Sequence, residues 1–154
     1  FHSPKSFSSF LKFDCIMRAD QVSDWRDAVH MSAGLLVKRG FVEESYVSNM
    51  LGFIEEQGFY AVSDDSFALL HGKGAEGILK TSLSLLVTRE PVEFGEKKAR
   101  VIFCLASKDG KEHIPAVVTL MRMVKTTALI HDLEQSRSAE EIYQTVLDCE
   151  FEVL

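Results

Sequence analysis

Basic residues are scarce in this sequence, and they do not form a block. Lysine and arginine together number 17, against 23 aspartates and glutamates, which gives a net charge of −6. A domain that grips nucleic acid or an anionic membrane usually presents a concentrated positive patch, often with aromatic residues among the basic ones. The sequence has no such patch, and no apolar run is long enough to span a bilayer. These absences argue against nucleic-acid binding and against membrane insertion.

Cysteine is also sparse, with three residues far apart in the sequence, Cys15, Cys104 and Cys149. An odd and scattered set favours reduced thiols over a disulfide framework, and it therefore predicts a cytoplasmic location. Zinc sites need clustered cysteine and histidine ligands, but neither C-x-x-C nor H-x-x-x-H spacing occurs. A metal hydrolase is accordingly a weak interpretation, and no metal is expected.

Length and composition indicate one folded domain that can bury a core without cross-links. The chain has 154 residues, of which 46% are hydrophobic and 26% charged. Its first ten residues, FHSPKSFSSF, are rich in serine and contain a proline. We predict that residues 1–9 are a linker or the tail of a preceding domain in a longer protein. The folded domain is predicted over residues 10–154.

Hydrophobic periodicity predicts helices at both ends of the chain around a block of strands. The run RVIFCLA at 100–106 is typical of a strand buried on both faces. We therefore predict an α/β fold, a mixed β-sheet with helices packed on both faces. The predicted strands span about 10–17, 59–62, 66–70, 80–87 and 100–106. Glu90 and Pro91 interrupt the strand pattern that follows 80–87. The predicted helices span about 24–39, 43–58, 111–125 and 126–135, with a last one capped by Ser138 and Glu141.

Two of the predicted helices have a defined inner face. In the helix at 111–125 the residues expected inside are Ile114, Val117, Val118, Met121 and Val124. In the last helix the inward residues are expected to be Ile142, Val146 and Cys149.

The segment SFALLHGKG at 66–74 carries the clearest chemical signal. A short apolar strand ends at His71, and Gly72 and Gly74 follow on either side of Lys73. Glycine lets a backbone approach a ligand closely and leaves amide groups available to an anion. Imidazole is in part neutral near physiological pH and can then act as a nucleophile. By local sequence alone, His71 could equally be a residue that closes a strand at a turn.

Two other motifs near His71 are weaker. Residues 72–77 match G-x-G-x-x-G, but a strand rather than a helix follows the third glycine, so no dinucleotide site is expected. A Ser-His-Asp hydrolase could use Ser66, His71 and Asp64. The sequence contains no G-x-S-x-G elbow to present such a serine.

A second histidine is predicted to reach the same edge of the sheet. His113 opens the helix that follows the buried strand and the turn at 108–110, whereas His71 ends a strand. Sites in open α/β sheets collect where strands end and helices begin. Without such a site, His113 would be a surface residue in the first turn of a helix.

An ordered series of short matches resembles the enzyme IIA domain of the mannitol/fructose family (type 2) of the bacterial phosphoenolpyruvate:sugar phosphotransferase system (PTS). The series covers about residues 10–150, and it is specific as a set although each fragment is short. The matching residues are Trp25, Ala28, Gly34–Val37, Gly40, Tyr46, Met50, Gly58, Tyr60, Ala68, His71, Gly72, Leu83–Leu85, Pro91, Val92, Phe94, His113 and Leu120.

The resemblance implies that His71 accepts a phosphoryl group from HPr on its Nε2 atom and that His113 supports that group. It implies no metal and no organic cofactor. Gly72, Lys73 and Gly74 are candidates for binding the phosphoryl group. The sequence departs from the family at Leu70, where a proline is usual, and at Phe53, where close relatives carry an arginine that Lys73 could replace.

These departures favour a regulatory domain over a transport component. Such domains are joined to transcription regulators or antiterminators that contain PTS regulation domains, and their phosphorylation alters neighbouring domains of the same regulator. The alternative is a sugar-transport enzyme IIA that passes the phosphoryl group to an enzyme IIB of the mannitol, fructose or ascorbate class.

Overall fold

The computed structural model describes residues 6–64 and 66–154, which form six helices and four strands. Their order along the chain is α1 (Phe7–Phe10), β1 (Leu11–Ala19), α2 (Trp25–Lys38), α3 (Glu44–Gln57), β2 (Phe67–Leu70), β3 (Ser82–Phe94), β4 (Lys97–Ala106), α4 (Ile114–Thr126), α5 (Leu129–Gln135) and α6 (Ala139–Val153). No helix within the described ranges is both long and apolar enough to cross a membrane.

The four strands form one mixed sheet in the order β1-β3-β4-β2. β1 is parallel to β3, β3 is antiparallel to β4, and β2 is parallel to β4. The pairing of β2 with β4 ends at Leu70 opposite Cys104. Because these two strands run in the same direction, the chain leaves both of them at the same edge of the sheet.

Helices cover both faces of the sheet, which confirms the predicted architecture. On one face, α2 and α3 pack against the sheet around Leu36, Tyr46 and Met50, all of which are buried. On the other face, α1, α4, α5 and α6 enclose a second core that includes Leu120 and Val146. β3 and β4 lie between the two cores, and the two-sided burial predicted for 100–106 is confirmed for 101–106, whereas Arg100 is half-buried.

The helix starts agree with the capping signals. Asp24 accepts a hydrogen bond from the Asp27 amide at 2.9 Å and caps α2. Ser138 accepts one from the Glu141 amide at 3.2 Å and caps α6. These bonds satisfy amide groups that have no partner inside the helix. The inward positions predicted in α6 are buried as expected: Ile142, Val146 and Cys149.

Two strand predictions are wrong. Residues 59–62 form a turn, in which Val62 makes an isolated bridge to Ala68. β3 does not stop before Pro91 but continues to Phe94, with a shift of register against β4 between Val87 and Val92. A local irregularity lets a strand pass a proline, because the proline then needs no ladder hydrogen bond.

The predicted inner face of α4 is also wrong in part. Ile114 and Val118 are 50% and 53% exposed, whereas Ala116, Leu120 and Met123 are buried. Apolar residues lie on more than one side of this helix, so periodicity alone does not select the side that meets the sheet. The helix predicted from Thr126 begins later, at Leu129.

The packed domain begins earlier than residue 10. Phe7 and Phe10 of α1 are buried, and the Ser8 hydroxyl donates a 2.7 Å hydrogen bond to the Glu150 carboxylate on α6. Phe7, which lies in the predicted linker, is therefore part of the core on the second face of the sheet, and Ser8 and Ser9 are half-buried. Residues 1–5 of the predicted linker lie outside the described residues.

Candidate active site

The parallel strands β2 and β4 deliver two loops to the same cavity at the edge of the sheet. His71 follows the end of β2, and the turn at 107–110 follows the end of β4 and leads to His113. The cavity has a volume of about 540 Å³. It is lined by Tyr46, Leu69, His71, Gly72, Gly74, Ala75, Leu105, Ser107, Lys108, Asp109, Gly110, His113 and Val117. The structure thus brings His71 and His113 together although they are far apart in the sequence.

Tyr46 of α3 holds the loop that follows His71. Its hydroxyl donates a hydrogen bond to the Leu105 carbonyl at 2.7 Å and accepts one from the Gly72 amide at 3.0 Å. Burial raises the pKa of the Tyr46 phenol well above its usual range, so the hydroxyl keeps the proton that it donates. One buried side chain therefore connects the end of β4 with the residue after His71.

Close packing against Tyr46 explains the glycine at position 72. A Cβ atom there would lie 2.9 Å from Tyr46 Cε1 and 3.1 Å from Asn49 Oδ1. The first distance is shorter than two non-bonded carbon atoms tolerate, so one of the two residues would have to move. Gly72 is thus required by the approach of its backbone to α3.

Asn49 forms a second attachment between α3 and the same loop. Its Nδ2 donates to the Lys73 carbonyl at 2.9 Å, and its Oδ1 accepts from the Lys73 amide at 3.1 Å. The Gly72 and Lys73 amides are thus bonded to α3 and are not directed to a ligand. Lys73 is exposed and is not among the lining residues of the cavity. Of the three phosphoryl-binding candidates in this loop, Gly74 is the one whose amide is not bonded to α3.

The hydrogen bond of the His71 ring indicates which of its nitrogens carries the proton. Nδ1 lies 3.3 Å from the Gly72 carbonyl oxygen. A carbonyl can only accept a hydrogen bond, so Nδ1 carries the proton and Nε2 has the free electron pair. The ring is flanked by Tyr60 and Phe53, with centroid distances of 5.3 and 6.1 Å. Phe53 thus places an aromatic ring, and no cation, beside His71.

His113 is oriented by a hydroxyl that the sequence interpretation missed. Ser107 Oγ lies 2.7 Å from His113 Nδ1 and accepts a hydrogen bond from the Gly110 amide at 3.0 Å. Since the hydroxyl oxygen already accepts from Gly110, its own proton is available to His113 Nδ1. When Ser107 donates to Nδ1, neutral His113 carries its proton on Nε2, the nitrogen that can donate to a ligand.

The rest of this turn is held by its own hydrogen bonds. Asp109 Oδ1 accepts from the Lys111 and Glu112 amides at 2.8 and 2.9 Å. These two donors, with the Glu112 amide as the larger effect, lower the pKa of the Asp109 carboxyl. The Lys108 amide donates to the Thr81 hydroxyl at 3.0 Å. Lys108 was not among the predicted site residues, because the sequence shows only a short connection here.

The cysteines do not contribute to this site. Cys15, Cys104 and Cys149 are free and buried. Burial raises the pKa of Cys104 to about 12 and that of Cys15 to about 11, so these thiols stay protonated and unreactive. In the described part of the chain, no three histidine, cysteine or acidic side chains are grouped so that they could hold a metal ion.

The chain is similar in sequence to EIIA components of a sugar phosphotransferase system. A family model described as "Phosphoenolpyruvate-dependent sugar phosphotransferase system, EIIA 2" matches residues 9–149. The ascorbate-specific PTS system EIIA component of Salmonella choleraesuis (strain SC-B67) is 26% identical over 130 residues. That alignment covers 82% of this chain and 84% of the relative.

Solved structures of the same system share the fold. The crystal structure of IIA mannitol from Escherichia coli has 26% identity and a TM-score of 0.73, covering 90% of this chain and 97% of that one. The E. coli complex of enzyme IIA mannitol with phosphorylated enzyme IIB mannitol contains a chain with 24% identity and a TM-score of 0.77, covering 90% of this chain and 99% of that chain, a likeness that shows the fold alone. The chain therefore belongs to the EIIA 2 family of the phosphoenolpyruvate-dependent sugar phosphotransferase system.

Proposed function

We propose that this chain carries a phosphoryl group on His71, received from HPr and passed to an enzyme IIB during sugar transport. The observation that carries the proposal is the presence of His71 and His113 in the lining of one cavity. Membership of the EIIA 2 family supports a phosphoryl-carrying role. A transport role draws support from relatives named for sugar-specific components, including one specific for ascorbate. These names favour transport over the regulatory role that the sequence departures suggested.

The proposed reaction is a direct transfer between two imidazole rings. The electron pair on His71 Nε2 attacks the phosphorus, and a bond forms between the two atoms. The bond between phosphorus and the histidine nitrogen of HPr breaks, and its electron pair returns to that ring. In the transfer to enzyme IIB, a nucleophile of that protein attacks the phosphorus, the bond between phosphorus and His71 Nε2 breaks, and its electron pair returns to the His71 ring. In the neutral ring, the hydrogen bond from Nδ1 to the Gly72 carbonyl at 3.3 Å selects the tautomer whose free electron pair is on Nε2.

The cavity offers groups that suit a transferring phosphoryl group. His113 can donate from Nε2, because Ser107 engages its other ring nitrogen. Gly74 lines the cavity with a φ of 69° and adds a backbone amide. Tyr60 and Phe53 stand beside the His71 ring and give it aromatic neighbours. Phosphoryl transfer depends mainly on such positioning and on donors to the equatorial oxygens.

The first experiment tests His71 as the acceptor. The chain is incubated with enzyme I, HPr and labelled phosphoenolpyruvate, and we expect a label that is lost in acid and stable in base. His71→Ala should abolish the label. His30→Ala and His131→Ala are matched controls, since both histidines are exposed and neither lines the cavity, and both variants should label as wild type does. A fully labelled His71→Ala variant would refute the proposal.

A second experiment separates transport from regulation. The phosphorylated chain is mixed with purified enzyme IIB proteins of the ascorbate, mannitol and fructose classes. We expect rapid transfer to at least one of them, with the ascorbate class first because of the relative named above. A chain that accepts label from HPr but passes it to no enzyme IIB would instead support the regulatory role.

A further inference from the structure

We infer that Lys108 supplies the positive charge that binds the phosphoryl group in this cavity. This inference rests on the proposed function and concerns the same site. A phosphoryl group carries a charge near −2, which two neutral imidazole rings do not offset. Lys108 is the lysine or arginine among the lining residues of the cavity, where it accompanies His71, His113 and the acidic Asp109.

The charge on Lys108 has no partner inside the described part of the protein. The ion pairs found there involve other lysines and arginines. The neighbouring Asp109 makes none of these ion pairs with Lys108, and its Oδ1 atom accepts two amide hydrogen bonds within the turn. The ammonium group is thus available to an anion from outside.

The backbone of Lys108 is nevertheless held in place. Its amide donates a 3.0 Å hydrogen bond to the hydroxyl of Thr81, which is only 5% exposed. The preceding residue, Ser107, is bonded to His113. A flexible side chain therefore starts from a fixed point next to the supporting histidine, which lowers the entropy lost when it binds.

Beside the His71 ring, the described part of the structure has aromatic side chains and not a lysine or an arginine. The rings of Phe53 and Tyr60 lie against His71, with a distance of 5.4 Å between their own centroids. Lys73 is close in sequence, but it does not line the cavity, and Asn49 holds its backbone against α3. The sequence interpretation offered Lys73 as a candidate for the compensating charge, and the lining of the cavity favours Lys108.

The test compares two substitutions at position 108 with one at position 73. Lys108→Met keeps the length of the side chain and removes its charge, whereas Lys108→Arg keeps the charge. We expect Lys108→Met to slow transfer from phosphorylated HPr about tenfold, with the label still on His71. Lys108→Arg should stay within about threefold of wild type. The matched control Lys73→Met should stay within about twofold, because a more distant charge is screened by salt.

Two outcomes would overturn the inference. One is a Lys108→Met variant that transfers at the wild-type rate. The other is an equal loss in Lys73→Met, which would indicate a general effect of net charge. In either case the label on wild type would leave the proposed function intact.

A phosphate-binding measurement tests the role of Lys108 even if no phosphoryl transfer occurs. Inorganic phosphate is titrated into the unphosphorylated chain, and the NMR shifts of the Gly74 amide and the His113 ring are followed. We expect Lys108→Met to weaken phosphate binding at least fivefold relative to wild type and to Lys73→Met. Equal binding by all three proteins, or no shift at all in wild type, would contradict the inference. A wild-type chain that binds phosphate but takes no label would refute the proposed function alone.

Discussion

The two loops that form the site are stabilised in different ways. The loop after β2 is attached to another element, since Tyr46 and Asn49 of α3 bind Gly72 and Lys73. The turn after β4 is stabilised largely from within, by hydrogen bonds that end on Ser107 and Asp109. The position of His71 thus depends on tertiary packing, whereas that of His113 depends on a local network. Substitutions in the two loops should therefore differ in how they change the unfolding free energy and the rate of phosphoryl transfer.

The largest effect is expected from filling the contact between the first loop and α3. Gly72→Ala would place a methyl group 2.9 Å from a ring carbon of the buried Tyr46. We expect the unfolding free energy to fall by about 1–3 kcal/mol, since overpacking forces neighbours to move. The hydrogen bond from the Gly72 amide to the Tyr46 hydroxyl, which holds the loop after His71, should also weaken. Phosphoryl transfer should then slow at least tenfold. Denaturant unfolding and labelling kinetics measure the two effects.

Gly52→Ala is the matched control for this substitution. Gly52 lies on α3, the helix against which Gly72 packs, and no atom is found within 4 Å of a Cβ added to Gly52. Alanine should stabilise the chain there by about 0.5–1 kcal/mol, because it is the better helix former. Transfer should not change. A Gly72→Ala variant that behaves like Gly52→Ala would show that the first loop does not depend on its packing against α3.

A smaller effect is expected from the second loop. Ser107→Ala removes the hydroxyl that lies 2.7 Å from His113 Nδ1. We expect transfer to slow about fivefold, the effect of one neutral hydrogen bond, with less change in the unfolding free energy than in Gly72→Ala. Ser107→Thr keeps the hydroxyl and should restore most of the rate.

The ¹⁵N chemical shifts of the His113 ring show directly whether the slower transfer in Ser107→Ala comes from a change of the His113 tautomer. In wild type they should show the proton on Nε2, and in Ser107→Ala they should show a mixture of both tautomers. A loss of rate with an unchanged tautomer would mean that Ser107 stabilises the turn without orienting His113.

The sequence predicted the parts of the site that depend on element order. His71 follows a strand and His113 opens a helix, so both were expected at one edge of the sheet, and the structure places both in one cavity. The family resemblance, drawn from short ordered matches, is confirmed by the family model over residues 9–149.

The parts that the sequence did not predict depend on which groups meet in space. Ser107 and Lys108 read as an ordinary turn, and their roles follow from the position of His113 and Thr81 beside them. The Gly72 amide looked like an anion donor, but Tyr46 reaches it from α3. Ile114 and Val118 continue the apolar pattern of α4, but their side chains are exposed and not buried against the sheet. Local patterns do not contain these partners.

The nitrogen that carries the phosphoryl group provides the most direct test of the central claim. The chain is labelled with ¹⁵N in its histidine rings, phosphorylated by enzyme I, HPr and phosphoenolpyruvate, and studied by ³¹P and ¹⁵N NMR in basic solution. We predict a single phosphorus resonance with a one-bond coupling to Nε2 of His71. A phosphoryl group on Nδ1 of His71 or on His113, or a chain that stays unphosphorylated, would contradict the proposal.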